Sequence, residues 1–285
     1  MAIYNTYSET RQLVKKGLEI IQQEGIKSFI ITFLNIAEGK LKNMYRVYKF
    51  QVNGKEQTNI DTFEESIRVS TKNYEQYARA SEYKISSAST EKEVAHLLLE
   101  KIDEGDVFYD IGSNIGIYSC IVGKASNAKI FAFEPHPKNV KEIKLNKDLN
   151  GININIHSVA LSDNSGTAEL QVLKTNEAGG QEHTLSEVEY HQSSHSEMKA
   201  IRVDKVAGDE LIHNEELPLP NVLKIDVEGA GPNVIRGLSE SLSTTEPHTL
   251  VIEPHNNISE IQEELRTLGF KIKIMREYIY AYKSD

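Results

Sequence analysis

One cysteine in 285 residues, Cys120, excludes an internal disulfide and points to a reducing compartment, with a cytoplasmic location as the expectation. It lies in an apolar stretch and is read as a packing residue, not as a nucleophile. Long hydrophobic runs are missing as well. The longest near the start, residues 29–36, is interrupted by Thr32 and Asn35 and falls well short of the roughly 20 apolar residues that a membrane span needs. No secretory signal is visible. Residues 8–40 have a composition that can lie on a membrane surface, but an amphipathic helix packed on the rest of the chain or on a partner subunit is the simpler expectation. Basic charge is in deficit: 32 Lys and Arg stand against 42 Asp and Glu, for a net charge of -10. That balance argues against nucleic acid as the main partner, because phosphate binding needs a basic face. Lys138, Lys141, Lys144 and Lys147 recur every three residues and read as a solvated helix face. There are no internal repeats and no low-complexity tract. With 39% hydrophobic and 26% charged residues, the chain has the composition of a large folded domain plus an extension.

The most informative stretch runs from Asp110 to Gly116, Asp-Ile-Gly-Ser-Asn-Ile-Gly. A short apolar strand, residues 107–109, precedes it, and residues 117–122 continue as a helix. A glycine turn between strand and helix lets the backbone approach a ligand closely. Residues 129–134 read as a second strand with Glu134 at its tip, where a carboxylate can accept the hydroxyl protons of a ribose. The pairing implies a nucleoside site. The absence of the pyrophosphate-binding G-x-G-x-x-G pattern argues against a dinucleotide site. The acid Asp110, two residues before the first glycine, suits a cationic ligand.

Further along stand Val159-Ala160-Leu161-Ser162-Asp163, then Val222-Leu223-Lys224-Ile225-Asp226-Val227-Glu228-Gly229, then Leu250-Val251-Ile252-Glu253-Pro254-His255. Together with the glycine loop and Phe133-Glu134-Pro135-His136-Pro137, these segments resemble the FkbM family of S-adenosylmethionine-dependent methyltransferases. The resemblance covers residues 93–269, and the Lys224-to-Gly229 segment is its most specific part. Two departures are visible. Ser113 stands where the family often has alanine. Ala230-Gly231-Pro232 follows where the family usually has an acid and no proline. The resemblance implies S-adenosylmethionine as cofactor, a ligand with a sulfonium and an ammonium but no phosphate. Gly112, Ser113, Asn114 and Gly116 would contact its amino-acid end, Asp110 its ammonium directly or through water, Glu134 its ribose, and Val159 and Ala160 its adenine.

The pattern of elements gives an α/β, doubly wound, mostly parallel seven-stranded sheet. Residues 1–88 form a leader with helical spacing at Leu13, Val14, Leu18 and Ile21 and short strands at 45–52 and 67–69. The methyltransferase domain follows over 89–285. Thr90 with Glu93, and Ser259 with Gln262, read as helix-start capping pairs. Pro137 opens a helix that Asn150-Gly151 closes. Strands are expected at 152–156, 222–227 and 250–253, and residues 270–274 and 278–282 pair as an antiparallel hairpin. A long insertion, 161–220, contains strands at 167–173 and 199–203 and a polar loop at 175–197, read as a lid. His191 and His195 in that loop lack a third ligand nearby, so no metal is assigned to them.

Methyl transfer to a hydroxyl requires alignment and a group to take the proton. Asp226, at the tip of a central strand, and His255 are the candidate bases, with Glu228 and Lys224 as organisers. A buried salt-bridge network is the structural alternative for Lys224, Asp226 and Glu228. Asp226, Glu228 and Glu253 offer oxygen for magnesium, but nothing in the sequence requires it, and no metal is assigned. The function expected is O-methylation of a sugar, glycan or small-molecule hydroxyl. A nicotinamide-dependent oxidoreductase and a non-catalytic cofactor-binding subunit are the alternatives. Oligomeric state is open.

Overall fold

A computed structural model of the chain describes residues 57–61, 66–72, 76, 80, 83, 89–173, 184–185 and 198–283. The helical pattern around Leu13–Ile21 and the strand expected at 45–52 lie outside them, as does nearly all of 175–197 with its three histidines. The chain divides into Met1–Gly54 and Lys55–Asp285, and every described residue belongs to the second unit.

Its centre is a seven-stranded sheet in the order β12-β13-β11-β10-β3-β4-β5. The strands are β3 (Val107–Ile111), β4 (Lys129–Phe133), β5 (Ile154–His157), β10 (Val222–Ile225), β11 (Thr249–Ile252), β12 (Lys271–Met275) and β13 (Tyr278–Tyr282). The first five are mutually parallel, and β13 runs antiparallel to both its neighbours. The inner strands β3, β10 and β11 are buried at every position, as expected where helices cover both faces. Successive side chains alternate between the two faces. Phe108, Ile130, Val222 and Val251 face one apolar cluster, and Tyr109, Ile111, Phe131, Phe133, Leu223, Ile225, Leu250 and Ile252 face the other. Helices α1 (Thr90–Lys101), α2 (Ile117–Ala125) and α3 (Pro137–Asn150) supply the first cluster. Helices α4 (Gly208–Asn214), α5 (Gly231–Gly237), α6 (Ser239–Ser243) and α7 (Ile258–Thr267) supply the second.

Several local expectations shift. Strands β10 and β11 end at Ile225 and Ile252, so Asp226 and Glu253 begin the loops instead of closing the strands. Helix α1 takes Ser89 as its N-cap, with no side-chain cap bond, and Glu93 pairs with Arg276 at 2.8 Å. Helix α7 starts after Asn257, not at Ser259, and the Asn257 side chain donates to the carbonyl of Gly229 at 2.7 Å. In α1 a tertiary partner takes the carboxylate that a local capping box would have used, and in α7 the N-cap side chain donates to a neighbouring loop instead of accepting from its own helix. Helix α3 follows its local signals: Pro137 opens it, the His136 ring accepts from the Asn139 N–H, and Gly151 closes it at φ 62. In α5, Pro232 sits in the first turn, where its missing N–H costs nothing.

A second sheet has the order β6-β9-β7-β8, with β6 at Ala160–Ser162, β7 at Gly166–Leu173, β8 at Thr184–Leu185 and β9 at Met198–Ala207. A Cβ on Gly237, at the end of α5, would lie 1.7 Å from the Ser162 carbonyl oxygen, so only glycine lets that helix approach β6.

The hairpin of β1 (Gln57–Asp61) and β2 (Ser66–Ser70) docks on α3 through two asparagines. The buried Asn146 accepts from the Ser70 N–H and donates to the Ile115 carbonyl, both at 2.8 Å. Asn150 accepts from the Arg68 N–H and donates to the Arg68 carbonyl. Asn146 therefore ties this hairpin to the loop that precedes α2. Asn146→Ala should cost about 1–3 kcal/mol for each buried backbone group left unpaired. Urea unfolding checks this, with the more exposed Asn150→Ala showing the smaller loss.

Candidate active site

The loop after β3 takes a left-handed backbone at Gly112 (φ 76), Asn114 (φ 52) and Gly116 (φ 77). The N–H groups of Gly112 and Ser113 donate to the Phe133 carbonyl at 2.9 and 3.2 Å, and the Ser113 hydroxyl donates to the Asp110 carbonyl at 2.6 Å. A Cβ on Gly112 would stand 2.0 Å from the backbone oxygen of Asp226. The glycine loop and the loop after β10 are therefore in backbone contact.

Glu134, just beyond β4, is 5% exposed. Its Oε2 accepts from the Asn114 N–H at 2.8 Å, and its Oε1 accepts from the His136 N–H at 2.9 Å and the Asn139 amide at 3.3 Å. An ionised carboxylate has about four acceptor positions, so Oε2 retains room for one more donor. Much of this carboxylate's capacity goes into shaping the loop. Burial pushes Glu134 up to about 7, with the N–H donors working in the opposite direction.

Asp110 is fully buried. Its Oδ2 accepts from the Ser119 N–H at 3.1 Å and the Ser119 hydroxyl at 2.6 Å. Its Oδ1 has no hydrogen-bond partner and lies 4.0 Å from the Lys224 ammonium. Burial raises the Asp110 pKa, and Lys224 and Ser119 oppose the rise. Lys224 in turn donates to Asp226 Oδ2 at 2.9 Å and sits 4.8 Å from the centre of the Tyr118 ring. Burial lowers the Lys224 pKa, but Asp226 and Asp110 outweigh it and the net shift is upward. Asp226 Oδ1 faces His255 Nε2 at 3.1 Å, and His255 Nδ1 faces Glu228 Oε2 at 3.1 Å and Glu253 Oε1 at 3.9 Å. Positive φ at His255 (41) and Asn256 (78) turns the chain so that the ring points back at the strand ends. Burial pulls the imidazole down, but the bond to Asp226 and the charges of Asp226, Glu228 and Glu253 hold it up at about 9. A ring with both nitrogens against carboxylates is a cation at neutral pH. Lys224, Asp226, Glu228 and His255 are thus brought together, and Asp110 joins them to the glycine loop.

Three side chains that sequence reasoning did not assign complete the cluster. Tyr278 of β13 contacts Glu91 Oε1 at 3.1 Å and Glu253 Oε2 at 3.0 Å, and the Tyr118 hydroxyl donates to Glu91 Oε2. The alternating tyrosines at 278, 280 and 282 were a visible signal, but their partners lie far away in sequence. Asp226, Glu253 and His255 also place one ligand atom each within 4.8 Å of one another, a composition that can hold a divalent cation. As arranged, each is engaged with neighbouring side chains, and a cation would enter by displacing those bonds.

The two residues assigned to adenine are placed differently from each other. Val159 is partly buried against the second central cluster, and Ala160 opens β6 with its methyl among Ala168, Leu170, Val172 and Val203. His157, at the end of β5, stacks on Phe133 at 5.1 Å and pairs with Glu215 at 3.2 Å. Burial lowers its pKa, and Glu215 opposes that.

The family model for the methyltransferase FkbM domain matches residues 110–282. The chain belongs to this family. It is accordingly an S-adenosylmethionine-dependent methyltransferase, not a nicotinamide oxidoreductase. It is 30% identical to the hexuronic acid methyltransferase AglP of Haloferax volcanii over 176 residues, 62% of this chain and 67% of that one. Among solved structures it resembles the precorrin-6y C5,15-methyltransferase of Geobacter metallireducens, with TM-score 0.44, 16% identity and 70% and 92% of the two chains covered. It also resembles an FkbM methyltransferase of Methylobacillus flagellatus, with TM-score 0.45, 14% identity and 73% and 54% covered. Among the described residues, no helix is long and apolar enough to cross a membrane.

The acceptor capacity left on Asp110 Oδ1 and Glu134 Oε2 fits a ligand that brings hydrogen-bond donors. A ribose hydroxyl needs the ionised form of Glu134, whose pKa is raised to about 7. S-adenosylmethionine affinity should therefore rise with pH through that value, about tenfold between pH 6 and pH 8. Calorimetric titrations across that range check this, and Glu134→Gln should flatten the profile.

Proposed function

We propose that the enzyme transfers a methyl group to a hydroxyl of a sugar or glycan. The observation that carries this reading is the continuous chain Asp110–Lys224–Asp226–His255. It runs from the cofactor-side loop to a charged cluster at the ends of β10 and β11, where open α/β sheets bind their ligands. The hexuronic acid acceptor in the name of the Haloferax volcanii relative supports the sugar class.

Bound S-adenosylmethionine supplies a methyl group on a sulfonium, already activated for displacement. Gly112, Ser113, Asn114 and Gly116 offer backbone, Asp110 its buried Oδ1, and Glu134 its Oε2 to hold the cofactor. Val159 and His157 are the side chains nearest in sequence to the adenine-side loop, and the Ala160 methyl is turned into the second sheet. Asp226 takes the acceptor proton at a carboxylate oxygen. Lys224 and His255 keep that carboxylate ionised and oriented, and Glu228 fixes the His255 ring from its other nitrogen. In this reading His255 is a positioning cation and not the base, because neither ring nitrogen faces open space. Residues 1–88 are read as an extension to the methyltransferase domain of 89–285, which carries the insertion 161–220. Cys120 is buried with its thiol pushed up to about 12 by burial, which fits an inert thiol in a reducing compartment.

Two variants separate the roles. Glu134→Ala should weaken S-adenosylmethionine binding by about 1–3 kcal/mol through loss of charge-assisted bonds. Asp226→Asn should bind the cofactor within about threefold of wild type yet lose at least about a hundredfold in transfer of labelled methyl to sugar acceptors, the scale of a missing general base. Calorimetry reads the first and a radiolabel transfer assay the second. Equal turnover in Asp226→Asn would remove Asp226 from the chemistry.

A further inference from the structure

We propose that the acceptor carries no carboxylate: the site takes a hydroxyl of an uncharged sugar and discriminates against the corresponding uronate. This deepens the sugar methyltransferase reading and rests on it. The observation is where the charges of the cluster stand. Five acidic side chains share it with two cations. Asp110 and Asp226 flank the Lys224 ammonium at 4.0 and 2.9 Å. Asp226 and Glu228 face the two ring nitrogens of His255, both at 3.1 Å. Glu253 lies 3.9 Å from His255 Nδ1 and shares the Tyr278 hydroxyl with Glu91, at 3.0 and 3.1 Å. Taking any one acid out of the count by protonation leaves the acids in excess.

The signs are also layered. The Lys224 and His255 side chains are 3% and 10% exposed, those of Glu228 and Glu253 18% and 27%. A molecule arriving from solvent therefore meets carboxyl oxygens first, and the cations lie beneath with their donors turned to Asp226 and Glu228. Arg276, on the turn before Tyr278, is paired too, with Glu93 at 2.8 Å. Among the described residues, every cation in these pairs already faces a carboxylate, and a carboxylate on the acceptor would have to displace one of them. It would also stand beside the exposed acids, where like charges repel. The cationic cofactor offsets part of the negative excess. What is left suits an uncharged acceptor, whose hydroxyls donate to carboxyl oxygens without adding charge. On this reading the chain shares the sugar class of the Haloferax volcanii hexuronic acid methyltransferase and differs from it in the charge it accepts.

The test is labelled-methyl transfer by the full chain to three phenyl glycosides of one ring, the glucoside, the glucuronide and the glucuronamide, repeated with the galactose set. The amide has the shape of the uronate without its charge. Its kcat/KM should exceed that of the uronate by at least about tenfold, with label on any oxygen of the uronate counted, its carboxylate included. The ratio should shrink in about 0.5 M NaCl, where screening weakens like-charge repulsion. Glu228→Gln removes one of the exposed acids and should lower the ratio by at least about threefold. The ratio is read within one variant, so a general loss of rate leaves it unmoved. A uronate used as well as the amide, a ratio indifferent to salt, or an unchanged ratio in Glu228→Gln would each overturn the proposal and leave the sugar reading in place. Transfer to none of the glycosides would overturn the sugar reading and this proposal with it.

Discussion

The ammonium of Lys224 is the constraint around which the site is arranged. It is 2% exposed, lies between Asp110 and Asp226, and sits over the Tyr118 ring. A buried ammonium without partners is too costly to keep charged. The register of the sheet supplies the partners: Lys224 of β10 is directly opposite Asp110 of β3. A slip of one residue would send these side chains to opposite faces and leave two charges stranded in the core. The ion pair therefore fixes how the two central strands align, and that alignment sets where both functional loops begin. Gly112 and Asp226 follow one residue after their strands and meet in backbone contact. The glycine loop and Asp226 are placed by the same pair of strands.

The legible part of this protein was local in sequence. The glycine loop, Glu134 and the Lys224-to-Gly229 segment each carry their meaning within a few residues, because a strand end, a turn and a carboxylate must occur together there. The parallel core followed from buried apolar strands separated by helices, and the terminal hairpin from two short runs with a tight turn. The misread parts share one cause, the tertiary partner. Glu93 looked like half of a capping box but pairs with Arg276, and Asn257 caps its helix while its side chain holds Gly229. Neither partner is visible in a local window, and helix starts are decided by such competition. Tyr278 and Glu91 are 187 positions apart, so no spacing rule could have joined them. They meet because the last strand inserts beside β11 while α1 packs across the sheet.

Three carboxylates stand just past the ends of three parallel strands, and their surroundings give each a different character. Glu134, after β4, is nearly dry and accepts mainly from N–H groups, so it titrates near neutrality and responds to a ligand that brings another donor. Asp226, after β10, is pinned between Lys224 and His255. Glu253, after β11, shares a phenol with a second acid. One residue class takes three characters here because environment, not identity, sets how a carboxyl behaves.

On the proposed assignment of Asp226 as the base, this division bears on why a salt-bridged aspartate would suffice. Its two oxygens face two cations, which would disqualify it if the hydroxyl had to ionise before reacting. In displacement at a methyl carbon the demand is different. As the carbon–oxygen bond forms, the hydroxyl proton becomes strongly acidic, and a weak base suffices to remove it late along the reaction. What the reaction needs early is a fixed acceptor for that proton at the correct angle, and the two cations supply this by removing the rotational freedom of the carboxylate. A free imidazole would be the stronger base but the less fixed one. In the proposed reading the imidazole serves orientation, with both ring nitrogens turned to carboxylates, and alignment takes precedence over basicity.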